Sequence, residues 1–274
     1  EHITISDPDF TGFLPVADVD DLSPYSSTSR MWDKKWPIKP EILLNAGNAA
    51  SNGDDYSDCP DLSLLTTSSD LRNRLLTTTC GTSPATAEAS WMAAQLLKEY
   101  PDMWPETVRA LLIHSASWTP KMLERFKTDD KKSSGKRLLL RTCGYGIPSL
   151  EKALWCKNNS VSMVIEGELQ PFKKDGSSYK MKEMDLHELP WPSECLMSLG
   201  ETSVRLRVTL SYFIEPGPGE IGWKDRYRYP SCNLRFDLIN NDESVEDFKK
   251  RVNIKMRGDD TKDKGDGTSG SDRW

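Results

Sequence analysis

Cys80-Gly81-Thr82-Ser83-Pro84-Ala85-Thr86-Ala87-Glu88-Ala89 lies between a threonine run, Thr77-Thr78-Thr79, and a helical stretch from Ala85 to Tyr100. The order is strand, sharp glycine turn, serine, helix. A serine at a helix N-terminus meets unpaired backbone N–H groups and the positive end of the helix dipole, which favour developing negative charge. The small residues Gly81, Ala85, Ala87 and Ala89 leave room for a substrate to approach. The same letters also make a plain helix start, with Ser83 as cap and Pro84 in the first turn. Both readings are open from this stretch alone.

Working outward, the helix after Ser83 places Ala85, Ala89, Met92, Ala93, Leu96 and Leu97 on one stripe, and Tyr100-Pro101 ends it. Trp104-Pro105-Glu106 announces a second helix carrying Val108, Leu111, Leu112 and Ser115, stopped by Trp118-Thr119-Pro120. Residues 127–137 read as a charged loop and Leu138-Leu139-Leu140 as a short apolar strand. Cys143-Gly144-Tyr145-Gly146 is a turn, and Ser149 caps a helix from Leu150 to Trp155. Upstream, Ile42 to Leu44 suits a buried strand. Residues 45–61, rich in Asn, Gly, Ser and Asp, read as a long surface loop. Asp54, Asp55, Asp58 and Asp61 fit no calcium-loop spacing and read as a solvated acidic face.

From residue 160 the period becomes two. Val204, Leu206, Val208, Leu210 and Tyr212 alternate with Arg205, Arg207, Thr209 and Ser211. Leu234, Phe236 and Leu238 alternate in the same way. With turn signals at Asp175-Gly176 and Pro216-Gly217-Pro218-Gly219, this predicts an antiparallel β domain. Residues 244–256 form a short helix in this reading.

Composition narrows the function classes. The chain has 274 residues, 36% of them hydrophobic, and nine Trp, enough for a sizeable core. A net charge of -6 with scattered Lys and Arg argues against a nucleic-acid surface. No apolar run is long enough to span a membrane. The six Cys form no CxxC pair, which speaks against zinc, and are too dispersed for a disulfide scaffold. Reduced thiols and a cytoplasmic setting are the expectation, with no metal or other cofactor. Cys80 has no basic neighbour in sequence and reads as a packing residue.

Several stretches then converge on one family. Gly81-Thr82-Ser83 with its Ala-rich helix resembles the nucleophile segment of the subtilisin-like serine peptidases (subtilases). Leu22-Ser23-Pro24-Tyr25-Ser26-Ser27, followed by Ile38-Lys39-Pro40-Glu41-Ile42, resembles the segment before it. Val108-Arg109-Ala110-Leu111-Leu112 to Ser115-Ala116 resembles the helix after it, and Gly144-Tyr145-Gly146 with Leu150 and Ala153-Leu154 the closing turn and helix. The resemblance covers about residues 20–157.

It implies an α/β fold: an incomplete subtilisin-like parallel sheet with flanking helices, followed by an antiparallel β-sandwich-like domain. The corresponding division is 1–157 for the C-terminal part of the catalytic domain and 158–256 for the β-rich domain. Residues 257–274 are a disordered loop or truncated end. It also implies a serine-type endopeptidase acting on polypeptides, with Ser83 as nucleophile. The family's triad runs Asp, His, Ser in chain order. Only three His occur, at His2, His114 and His187, and none sits in the family's His-Gly-Thr-His setting. The His and Asp are therefore expected upstream of Glu1, in a longer protein. Ala46-Gly47-Asn48 has the letters of the family's oxyanion asparagine segment, but it follows the Lys-Pro-Glu strand, where a loop residue is expected instead. The alternative to an enzyme is a degenerate subtilase serving as a binding or scaffold protein. Analogy with regulated intracellular proteases adds a regulatory protein partner.

Overall fold

Three helices carry the largest apolar cluster, and their sequences say why. Met92 and Leu96 face inward from one helix, Val108, Leu111 and Leu112 from the next, and Ala153 from a third, closed by Tyr100 and Met103. The protein is described by a computed structural model over residues 4–28, 30, 38–126, 133–158, 162–170, 172–189, 192–213, 237–240 and 243–262. These residues cluster into two compact units. The larger holds the described part of Glu1–Met31 and Ile38–Ser211, the smaller that of Tyr212–Trp274.

In the larger unit, β1 (Leu14–Pro15), β2 (Ala49–Ser51) and β3 (Tyr56–Asp58) form an antiparallel sheet in the order β1-β2-β3. The hairpin β4 (Leu64–Thr67)–β5 (Leu76–Thr79) follows, with Leu64 opposite Thr79 and Thr67 opposite Leu76. Then come α1 (Thr82–Glu99), α2 (Pro105–Ser115), α3 (Pro120–Arg125), α4 (Ser133–Cys143) and α5 (Leu150–Asn158). A second hairpin, β6 (Phe172–Asp175)–β7 (Ser178–Met181), and α6 (Ser193–Ser198) complete it. The helices predicted after Ser83, at Trp104-Pro105 and after Ser149 are thus α1, α2 and α5. Ser149 caps α5 through its hydroxyl, which accepts from Lys152 N–H at 3.3 Å.

The smaller unit holds α7 (Val245–Lys262), which overlaps the helix predicted at 244–256. Phe248 is buried there. The Arg251 guanidinium lies 5.3 Å from its ring centroid and donates to Glu243 and Asp237.

Residues 45–61 are not a surface loop throughout. Ala46 to Ala50 are buried, and Ala49–Ser51 is the central strand of the first sheet. Ala50, Cys59 and Leu62 form a second small core with Ile5, Phe10 and Phe13 against it. Turn-forming composition hid two small residues that pack because they are small. Leu138-Leu139-Leu140 is helical, inside α4, rather than a strand. Leu139 and Cys143, one turn apart, are buried with Met122, while Leu138 faces out. A short apolar run is ambiguous between the two periods, and tertiary packing decided it. Ile42 to Leu44 is half-buried but joins no strand; Leu43 N–H donates to Gly146 O at 2.9 Å.

Every strand pair among the described residues is antiparallel. Of the period-two runs, Val204–Tyr212 makes no ladder, and Leu234 and Phe236 lie outside the described residues. The 204–212 run spends its alternation differently. Arg207 Nη1 donates to Ala116 O at 2.9 Å, Thr209 Oγ1 is 2.8 Å from His114 Nδ1, and Arg109 Nη1 reaches Ser211 Oγ at 3.5 Å. Its polar side therefore runs along α2, in the opposite direction.

Candidate active site

The nucleophile candidate sits where the hairpin turns into α1. β5 ends at Thr79, and Gly81 adopts φ 114°, ψ -174°, a conformation essentially closed to residues with a Cβ. α1 begins at Thr82, so its cap is Gly81 and not Ser83, which stands at the second helical position. Gly81 has no side chain to satisfy the helix's first donors. Four backbone groups at a helix start ordinarily lack intrahelical partners. Here Gly81 N–H is taken by Ala46 O at 2.9 Å, and Pro84 has no N–H. The N–H groups of Thr82 and Ser83 remain, at the positive end of an 18-residue helix. Ser83 is exposed, and no hydrogen bond engages its hydroxyl among the described residues.

The backing of this turn is tightly built. Gly47 has φ 76°, and a Cβ there would lie 2.7 Å from Cys80 Sγ and 3.2 Å from Leu62 O. Ser63 Oγ donates to Cys59 O at 2.7 Å and lies 3.0 Å from Cys80 Sγ. Ser23 Oγ donates to Gly47 O at 2.7 Å, which brings the Ser23–Ser27 segment to the same place. Beside it the Tyr25 hydroxyl donates to Asp58. Burial, then that hydrogen-bonded carboxylate, pushes the phenol above its ordinary range. Cys80 is therefore a packing residue under the turn.

Glu88, the seventh residue of α1, finds a backbone partner: it accepts from Asn45 N–H at 3.3 Å, and Asn45 Oδ1 accepts from Gly47 N–H at 3.1 Å. This chain of bonds fixes α1 against the 45–48 segment.

Asn48 does not present its amide to a substrate. Its side chain is buried. Oδ1 accepts from Ala17 N–H at 3.0 Å and Ala49 N–H at 2.9 Å, and Nδ2 donates to Ala17 O at 2.7 Å. It is an internal tie between two backbone segments. Of the acidic quartet, Asp61 accepts from Ser6 N–H at 2.6 Å and Asp7 N–H at 2.9 Å, so it too is structural.

The histidines are placed elsewhere. His114 is half-buried on α2 against Thr209. Burial, with the Arg207 charge nearby, holds its imidazole below the usual range. His187 is exposed, and His2 lies outside the described residues.

Contacts that the sequence did not disclose hold the frame. Arg109 on α2 donates from Nε to Glu41 Oε1 at 3.0 Å, and Lys39 Nζ lies 3.4 Å from Glu41 Oε2. Burial pushes the Glu41 carboxyl up, but the Arg109 guanidinium and Lys39 outweigh it and hold it below the ordinary range. Tyr145 N–H donates to Glu41 O at 2.8 Å, and Trp118 Nε1 to Gly144 O at 2.9 Å. Glu166 closes the start of α2, accepting from Trp104 N–H at 3.0 Å and from the Thr107 hydroxyl. Arg207 closes its end. The sequence announced Glu106 at the positive end of α2, but not Glu166 or Arg207, which come from distant positions.

The subtilase family matches residues 5–146, more than half of the chain, and the chain belongs to this family of serine peptidases, whose fold is α/β. Among curated proteins, an uncharacterized protein, y4bN of Sinorhizobium fredii (strain NBRC 101917 / NGR234), is 27% identical over 200 residues. That match covers 72% of this chain and 41% of the relative, so the chain spans less than half of the relative's length. No solved structure matches. No described helix is long and apolar enough to cross a membrane.

Proposed function

We propose that Ser83 is the nucleophile of a serine endopeptidase that hydrolyses polypeptides. The observation that carries this is the exposed Ser83 hydroxyl on the first turn of α1, beside the N–H groups of Thr82 and Ser83, which have no partner among the described residues. In the reaction, Oγ attacks the peptide carbonyl and passes its proton to a histidine base. The C–O bond forms, and the carbonyl oxygen takes up the negative charge facing the Ser83 N–H. The C–N bond then breaks, the amine leaves with the proton returned by the base, and water hydrolyses the acyl-enzyme. The base and its aspartate belong, in this reading, to polypeptide outside this chain, which alone retains only residual catalysis. The same proposal includes a parallel sheet completed by that polypeptide, a β-sandwich-like region beyond residue 157, a cytoplasmic setting and a regulatory protein partner.

A fluorophosphonate probe tests it on the full-length protein. Labelling mapped to Ser83 and lost in Ser83→Ala supports the enzyme; an unlabelled Ser83 in a folded protein overturns it. The second reading is a family member kept for recognition. An unlabelled protein that still binds polypeptide selects that one.

A further inference from the structure

The hairpin that delivers the chain to Ser83 carries an unusual surface. Leu65 and Leu76 stand on its outward face, 69% and 53% exposed. They share that face because Leu65 is opposite Thr78 and Thr67 opposite Leu76, two residues apart along each strand. At the tip, Leu71 and Leu75 are 67% and 71% exposed. Between them Arg72 and Arg74 are exposed, and neither guanidinium has an ion pair or hydrogen bond among the described residues. Asp70 is occupied within the tip: it accepts from Asn73 Nδ2 at 2.6 Å and its carbonyl from Arg74 N–H at 3.0 Å. Four exposed leucines on one two-stranded hairpin are more apolar surface than solubility favours, and such a hairpin has little stability of its own. Two unpaired cations among them, in a chain of net charge -6, fix the sign of what would cover it.

We propose that the β4–β5 hairpin is a docking surface for an acidic, leucine-rich polypeptide segment. Arg72 and Arg74 take its carboxylates, and Leu65, Leu71, Leu75 and Leu76 its apolar side chains. Resting on the reading of Ser83 as nucleophile, the occupant is part of the substrate. The hairpin tip, Leu71 to Leu75, lies eight to twelve residues before Ser83 in the chain, at most about 40 Å at strand rise, so an extended substrate reaches both.

Binding is measured first, in the full-length Ser83→Ala protein, by anisotropy of a fluorescent peptide of alternating Glu and Leu. Saturable, salt-weakened binding is expected. R72E/R74E should weaken it by about tenfold, and L71S/L75S should do likewise. R72K/R74K should retain most of it, and a Lys/Leu peptide should not bind. Equal affinity of the parent and R72E/R74E overturns the proposal, as does no binding, or binding only to anionic lipid vesicles. With Ser83 present, R72E/R74E should raise KM for a substrate carrying the acidic segment, leave kcat unchanged, and leave a short substrate unaffected. Failure of fluorophosphonate labelling would remove the peptidase reading while the peptide-binding result stands by itself.

Discussion

The Arg109 guanidinium donates from Nε to Glu41 Oε1 at 3.0 Å, tying α2 to the segment that begins at Lys39-Pro40. Both side chains are partly covered, so the pair is neither a loose surface contact nor a fully desolvated one. Arg109→Met should cost about 1–2 kcal/mol, read from urea unfolding, because it leaves a half-buried carboxylate with Lys39 as its remaining cation. The folded Glu41 carboxyl is depressed, so its contribution is complete above the ordinary glutamate pKa of about 4.3. It is lost as pH falls through the lower folded value. Glu41→Gln should flatten the stability profile in that acid window.

His114 acts in a different window. Burial and Arg207 depress its folded pKa, so below about pH 6.5 the unfolded chain takes up a proton that the folded one does not. Stability should fall as pH drops from neutral into the mildly acid range. His114→Gln should remove that slope while retaining a partner for Thr209.

Gly81→Ala separates strain from crowding. A Cβ there meets nothing within 4 Å, so the whole cost is the backbone conformation at φ 114°. Destabilisation of about 1–3 kcal/mol is expected. Labelling of Ser83 should fall further than the folded fraction does, because the turn that aims α1 has shifted.

Gly146→Ala should be far worse. Its Cβ would stand 2.2 Å from Ser117 O, at φ 95°, across the bridge between Ser117 and Ile147. A loss above about 3 kcal/mol, or no folded protein at all, is expected by circular dichroism.

What could be read in advance was local. The Gly81 turn, α1, α2 and the Ser149 cap depend on neighbours within a few residues, and period, proline and glycine report those. The family segments were legible for the same reason. Ala49 and Ala50 were not, because their burial depends on Leu14–Pro15, more than thirty positions away. The alternation at 204–212 predicted a strand of an antiparallel β domain, and the run makes no ladder. Its partner was missed, since nothing in period two says whether the polar side meets water or, as here, a helix. Asn48 shows that matching letters do not make a donor: its amide is consumed by Ala17.

Glu166 and Arg207 grip opposite ends of α2 from positions beyond the stretch the family match covers. A truncation at residue 158 would leave the Trp104 amide bare at one end of that helix and strip Arg207 from the Ala116 carbonyl at the other, with His114 losing Thr209 between them. The polypeptide past the match thus behaves as a splint on the peptidase part, and shortening the chain to the recognisable family region should yield a weaker protein rather than a minimal one.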